Sequence, residues 1–588
     1  MPTISVSKRD LESLLQQGRK DLHTLNIEEL KRLLQLAKGE VKSIEGDELR
    51  IELADTNRPD LLSVEGIARQ IQRHKTQDTR HKLQVKREII VDAELKKVRP
   101  YIGGFLAQGV SLEENGLIAL IETQEKLADV FGKQRKALAI GVYNAKKFEF
   151  PVYYRAVEPE SRKFIPLDFD YELNLREILN QHPKGKEYGY ILRDCQKFPF
   201  LEDCKGRVLS FPPIINSKLT GEVKADERDI FCEVTGENLS RLTLVVNILA
   251  ENFKDRGFKI EACLVKYAYS TDFGKDVRTP YEFKDTLLVC HQEFEGLLGL
   301  KLRKEKIKEH LEQMRYLVKI EGDKFKITPP SYRRDVMHSV DVIEDFAISR
   351  GYDNFEPEAL KEFTIGKLQD IELIARKARE IMLGCGFVEI MSNVLCSKPM
   401  VGSNMRLSEF AESCGDDVIE LENPISESYE VMRNSIIPSL LQVEGQSSKA
   451  TYPHRIFEVG EVAVKEDVGF ILREKKKDSP KTLIKLSALI AHSNANFSEL
   501  HSFLDSLAYY LGFSYQLKKI AHPSFIKGRA GSIIVDNEEV GVLGETHPEV
   551  LENFKIKYPV AVFEISLPPS TKVGRKDLLD FFELRYKM

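Results

Sequence analysis

Four carboxylates are the first residues in this chain whose type and spacing could do chemistry. Asp341, Glu344 and Asp345 stand at i, i+3 and i+4, so a helix there places all three on one face, and Asp335 just before it brings a fourth. Val340, Ile343 and Ala347 then fall on the opposite side, facing a core. Like charges at this spacing cost about 0.2–0.5 kcal/mol per pair, so a cation has to compensate them. Hard oxygen ligands suit magnesium, which keeps several waters and accepts one or two carboxylates. The residues alone leave a second reading open, an exposed acidic face neutralised by Arg333 and Arg334.

The element that must hold these carboxylates is a helix predicted over 340–349. It closes a unit at 275–352 that also holds a helix near 304–315 and a hairpin, 317–320 with 324–327, around Glu321-Gly322-Asp323. Pro329-Pro330 ends the hairpin. Upstream, residues 1–80 form an N-terminal domain that ends in a basic polar stretch, 72–82, read as a linker or exposed edge. Within it Thr56-Asn57-Arg58-Pro59-Asp60 is turn chemistry, with Asp60 the expected N-cap of a short helix that buries Val64, Ile67, Ala68 and Ile71. Residues 85–270 mix strands at 137–142 and 152–157 with a helix over 239–250, an α+β domain. The last segment, 360–588, carries a long helix, a strand at 455–459 and an antiparallel pair around Asp536-Asn537; its charged run 473–477 reads as a solvated loop. The fold expected is therefore multidomain α+β.

Composition narrows the function classes. A length of 588 residues suggests about four domains. The chain is 42% apolar and 30% charged, enough to bury several cores. Its 87 basic and 92 acidic residues leave a net charge of −5, which argues against indiscriminate nucleic-acid coating but allows a local surface for RNA. None of the eight cysteines falls in a C-x-x-C pair, so buried free thiols are expected rather than zinc or disulfides. The glycine-rich phosphate fingerprints G-x-x-x-x-G-K-[ST] and G-x-G-x-x-G do not occur, which disfavours a P-loop ATPase or a dehydrogenase. With no apolar run near 18 residues and no signal core or Arg-rich leader in Met-Pro-Thr-Ile-Ser-Val-Ser-Lys, a cytoplasmic protein without a membrane partner is expected.

Five landmarks in one order carry a family resemblance. They are Thr56-Asn57-Arg58-Pro59-Asp60-Leu61; Phe211-Pro212-Pro213-Ile214-Ile215-Asn216-Ser217; Pro330-Ser331-Tyr332-Arg333-Arg334-Asp335-Val336 continuing to Gly351-Tyr352-Asp353-Asn354; Asn423-Pro424-Ile425-Ser426 through Met432-Arg433-Asn434-Ser435; and Gly541-Val542-Leu543-Gly544-Glu545-Thr546-His547-Pro548-Glu549. The chain resembles, from end to end, the β subunits of phenylalanine–tRNA ligases of the archaeal and eukaryotic-cytosolic type.

The resemblance implies an α2β2 assembly with a catalytic α subunit, tRNA(Phe) as a partner, and no DNA. It implies a helical module in which Asp335, Asp341, Glu344 and Asp345 ligate magnesium at a site shared with the α subunit. The 275–352 unit has a winged-helix-like, helix–hairpin flavour. Residues 360–588 resemble a class II synthetase fold, with Arg433 and the stretch Arg455-Ile456-Phe457-Glu458 where its second motif would stand. The tail, 574–588, offers no third, Gly-rich motif ending in Arg. The domain is thus expected to be an inactive copy with Arg433 and Glu458 structural, ATP and phenylalanine being held chiefly by the α subunit.

Residues 85–270 resemble the editing domain, which hydrolyses tRNA(Phe) wrongly charged with tyrosine. A pocket shaped for phenylalanine cannot strongly reject an isostere that adds a hydroxyl, whereas a site that hydrogen-bonds the hydroxyl discriminates well. By resemblance, Glu233 accepts from the tyrosine hydroxyl, Ser210, Asn216 and Thr235 hold the aminoacyl ester or terminal adenosine, and Leu201 is an apolar wall. Each has a local alternative: Ser210 and Thr235 as strand or turn hydroxyls, Asn216 in an Asx-turn, Glu233 paired with Arg228 or Lys224. No nucleophile-and-base constellation is evident, so direct attack by a positioned water is expected, with Cys232 a packing residue. One departure stands out. Where archaeal relatives tend to show Gly-[Ile/Val]-His-Asp, this chain has Gly141-Val142-Tyr143-Asn144.

Overall fold

The computed structural model describes residues 2–18, 26–72, 85–360, 362–407, 418–447, 449–466 and 479–567. The basic stretch 73–82, the charged run 473–477, the tail 574–588 and Cys414 lie outside the described residues. The chain divides into two units, Met1–Ala359 and Leu360–Met588.

In the first unit, alternating and continuous apolar runs build one wide mixed sheet. Its strand order is Ile215–Asn216, Val208–Phe211, Phe198–Glu202, Val152–Val157, Val85–Val91, Lys259–Thr271, Tyr101–Gln108, Asp229–Gly236, Leu138–Asn144, with Gly274–Thr279 added beside Lys259–Thr271. Val85–Val91 runs parallel to both its neighbours, and the other pairings are antiparallel. The two ends of that order curl back on each other: Asn216 Nδ2 donates to the Val142 carbonyl at 3.3 Å.

The helix Leu239–Asp255 packs on the strands Tyr101–Gln108, Asp229–Gly236 and Lys259–Thr271. Asn238 caps it by accepting from Arg241 N. The helix lies close because the sheet offers Gly103 beneath it; a Cβ there would stand 2.9 Å from Leu242. The helix runs five residues past the expected end, because Phe253 carries its buried face through the last turn.

The N-terminal sheet, Thr3–Ser7, Glu48–Leu53 and Gly39–Glu45 in that order, carries three helices, and its core is continuous with that of the wide sheet. Ser63, not Asp60, caps Val64–Ile71. Asp60 is instead gripped by Arg58 at 2.9 and 2.8 Å inside the preceding turn. Every residue of this helix is buried, not one face, because Glu65 pairs with Arg256, Arg69 with Asp255, and Gln70 donates to the Leu36 carbonyl.

The segment from Leu287 to Arg350 has three helices, His291–Leu298, Lys304–Gln313 and Ser339–Arg350, and a sheet of Leu287–Cys290, Lys324–Thr328 and Leu317–Glu321 in that order. Leu287–Cys290 thus adds a third strand to the expected hairpin, pairing with Lys324–Thr328. The core side of Ser339–Arg350 is Val342, Ile343, Phe346 and Ala347, whereas Val340 is exposed.

The second unit is built on a seven-stranded sheet: Val388–Glu389, His454–Glu466, Ser479–Ala491, Val560–Ser566, Glu538–Thr546, Phe525–Val535, Gln516–Lys519. Only the first pair is parallel. Asp370–Gly384 and Phe497–Leu511 bury Ile374, Ala378, Leu500 and Leu504 in a core that includes Phe457 and Phe563 of the sheet. Among the described residues no helix is long and apolar enough to cross a membrane.

Candidate active site and carboxylate cluster

The strand Asp229–Gly236 is flanked on both sides, and seven of its eight residues are buried. Register puts Glu233 opposite Gly141 and Phe231 opposite Tyr143. Alternation turns all four to one face of the sheet. Gly141 has no Cβ, and the Tyr143 ring folds back across that vacancy; a Cβ there would stand 2.2 Å from the phenol oxygen and 2.4 Å from Glu233 Oε1. The phenol thereby donates to Glu233 Oε1 at 2.9 Å. Its oxygen also lies 2.8 Å from Ser210 Oγ and 3.4 Å from Asn216 Oδ1. Leu201, fully buried, stands directly across from Ser210.

Gly141→Ala therefore forces the Tyr143 phenol off Glu233 and destabilises the first unit by about 1–3 kcal/mol. Urea unfolding measures it, and a change below a few tenths would mean that the ring moves freely.

Four of the five expected residues thus converge: Glu233, Ser210, Asn216 and Leu201. Thr235 does not join them. Its hydroxyl accepts from Arg99 Nε at 3.0 Å, and Arg99 also donates to its carbonyl at 2.8 Å. Glu233 is paired with neither cation weighed for it, and Lys224 lies with Glu222. Burial pushes the Glu233 carboxyl up to about 7, against a smaller lowering by the Tyr143 hydrogen bond and the Arg99 charge. Its Oε2 is buried without a partner. Burial and the Glu233 charge likewise raise the Cys232 thiol, which keeps it protonated and unfit as a nucleophile. Tyr143, a departure from the family pattern in sequence, thus sits on Glu233 in the fold. A glycine two residues before a tyrosine on one strand signals only that the ring has room to fold back, not what it meets.

The four carboxylates are arranged otherwise than metal ligands. Asp335 and Asp345 share the buried Arg333 guanidinium, and Asp345 also accepts from the Tyr316 hydroxyl. Asp341 accepts from the backbone amides of Met337 and His338 at 2.7 and 2.8 Å, capping its own helix. Glu344 is half-exposed and pairs with Lys38 at 2.6 Å. Among the described residues no three His, Cys, Asp or Glu converge as a metal site needs. The donor chemistry suits magnesium, but these engagements do not fit one. Arg333 and Lys38 supply the cation that the spacing demanded; Arg334 turns to Asp285 instead.

In the second unit Arg433 is buried, with Nη2 on Glu458 at 2.7 Å, Nη1 on Ser392 at 2.7 Å and Nε on the Glu461 carbonyl at 2.9 Å. All three nitrogens are engaged within the protein.

Comparison with known proteins bears on this site. The chain is 38% identical to "Phenylalanine--tRNA ligase beta subunit" of Thermococcus onnurineus, over 97% of this chain and 99% of that one. It belongs to the phenylalanine–tRNA ligase beta-subunit family. The same family name is carried by a protein of Borrelia hermsii, 38% identical over 92% of this chain and 95% of the other. Within this beta-subunit chain, residues 360–567 match the family described as "Phenylalanyl tRNA synthetase beta chain CLM domain" and residues 288–352 the "tRNA synthetase B5 domain". Among solved structures, an N-terminal fragment of the beta subunit from Pyrococcus horikoshii matches with a TM-score of 0.56 and 38% identity, covering 60% of this chain and all of that fragment.

Proposed function

We propose that this chain is the non-synthetic subunit of a cytoplasmic α2β2 phenylalanine–tRNA ligase, binding tRNA(Phe), scaffolding the catalytic α chain and hydrolysing tyrosine from mischarged tRNA(Phe). The observation that carries the hydrolytic part is the phenol on Glu233: the cluster already holds a tyrosine hydroxyl on a buried carboxylate acceptor. Ser210 and Asn216 stand beside that oxygen, where an ester and a water need polar partners. Magnesium, implied by resemblance, takes no part in this step. The inward Arg433–Glu458 pair supports an assembly role for 360–588, with ATP and phenylalanine on the α chain.

Single-turnover deacylation of Tyr-tRNA(Phe) by the chain co-purified with its α partner tests the proposal, with Phe-tRNA(Phe) as the control substrate. Tyrosine should be lost and phenylalanine spared, and Glu233→Ala should slow the loss about tenfold or more. An unchanged rate in the variant removes Glu233 from the role. The position of Tyr143 favours a second reading, a scaffold whose hydrolytic site is silent. A wild-type complex that charges phenylalanine yet leaves Tyr-tRNA(Phe) intact selects it.

A further inference from the structure

The polar residues expected to read a substrate are turned to a residue of the chain itself. Tyr143 puts a phenol on Glu233 Oε1, with Ser210 Oγ and Asn216 Oδ1 around the same oxygen. The ring is fully buried and lies against Phe231, centroids 5.8 Å apart at 31°. Phe231 is in turn packed by Phe148 and Phe150. Gly141 supplies the space in which the ring lies, since any side chain there would meet both the phenol and the carboxylate. Glu233 Oε2 remains buried without a partner, so the carboxylate keeps an unused acceptor beside the ring.

We infer that Tyr143 is a resident occupant of the phenol position of the Glu233 site, an intramolecular competitor that a tyrosyl ester has to displace, and so a residue that sets the site's specificity. The inference rests on the reading of this cluster as a tyrosyl-ester site. A group tethered two residues from Gly141, on the same strand, competes at a fixed high effective concentration. Substrate then binds only the fraction of molecules whose ring has swung out, and its apparent affinity falls by that fraction. The competitor acts on binding and not on the chemical step, because Tyr143 must leave before the ester arrives.

The test uses the chain co-purified with its α partner, with steady-state deacylation of Tyr-tRNA(Phe) by wild type, Tyr143→Phe and Tyr143→Ala. An open fraction of a few per cent predicts that Tyr143→Ala lowers KM about tenfold or more with kcat little changed. Tyr143→Phe keeps the ring but loses its bond to Glu233, so its KM falls between the two. An unchanged or raised KM, or a kcat lost in both variants, overturns the inference and makes Tyr143 part of the hydrolytic machinery. Calorimetry with a non-hydrolysable amide-linked tyrosyl-adenosine separates this from failure of the underlying reading. If no form deacylates but Tyr143→Ala gains binding over wild type and over the phenylalanyl analogue, occupancy stands and the hydrolytic reading falls. No gain in binding overturns the occupancy itself. Circular dichroism and co-purification with the α chain report that each variant is folded.

Discussion

Replacing Arg333 with methionine lowers the stability of the Met1–Ala359 unit by about 3–5 kcal/mol, because it strands two buried carboxylates. The Arg333 side chain is 3% exposed and holds Asp335, 8% exposed, and Asp345, 6% exposed. Its guanidinium also faces the Tyr316 ring, 5.5 Å from the centroid. Methionine keeps much of the stem's volume, so the loss is electrostatic rather than a cavity effect. The pH response inverts as well. Burial raises the Asp335 carboxyl, but the Arg333 charge and hydrogen bond, with Arg58 beyond, overcome it and hold the group below the usual carboxylate range. Its stabilisation is therefore present above the unfolded value and lost as pH falls through the lowered one. Without Arg333, burial acts on Asp335 with far less opposition; stability then is fullest below the unfolded value and falls as pH rises. Urea unfolding of both proteins should show a larger loss near pH 8 than near pH 5, and Asp335→Asn in the variant should recover part of it. Equal losses at the two pH values would mean that another cation takes Arg333's place.

The same cluster marks the limit of what the sequence makes legible. Spacing placed Asp341, Glu344 and Asp345 on one helix face and asked for a cation. Periodicity cannot say that Asp345 is buried while Glu344 is half-exposed, because that depends on which flank of the helix meets Phe294, 5.8 Å from Phe346 and far away in sequence. Two apolar sets fit a helical period here, one through Val340 and one through Val342, and only packing chooses the second. Local signals did better where an element is determined by its own residues. The hairpin around Glu321-Gly322-Asp323 and the pair turning at Asp536-Asn537 both form where turn chemistry put them. At the candidate site, family motifs named Glu233, Ser210, Asn216 and Leu201, and these meet in space. That the Tyr143 phenol would complete the group needed the cross-strand register of Gly141 with Glu233, which no single strand carries.

Glu233→Gln makes the first unit more stable by about 3 kcal/mol near pH 8 than near pH 5, relative to wild type. Burial is the cause: it lifts the carboxyl from an ordinary 4.5 to about 7 in the folded chain, and the Tyr143 bond and Arg99 charge recover only part of that. A raised carboxyl binds its proton more tightly folded than unfolded, so its contribution to stability is full below about 4.5 and is lost as pH rises through about 7. Glutamine keeps an acceptor for the Tyr143 phenol but does not titrate, so the two proteins diverge through that window and run parallel outside it. Hydrogen exchange in peptides covering Asp229–Gly236, corrected for intrinsic rates, reads the difference strand by strand; profiles parallel from pH 5 to pH 8 would mean that Glu233 ionises as freely folded as unfolded. A carboxylate retained at this cost has to be ionised to hold a phenol strongly. Ionisation tightens the hold on the resident Tyr143 phenol and on a substrate phenol alike, so it is in Tyr143→Ala that binding of a tyrosyl ester should strengthen over the same pH window, and adding Glu233→Gln should remove that change.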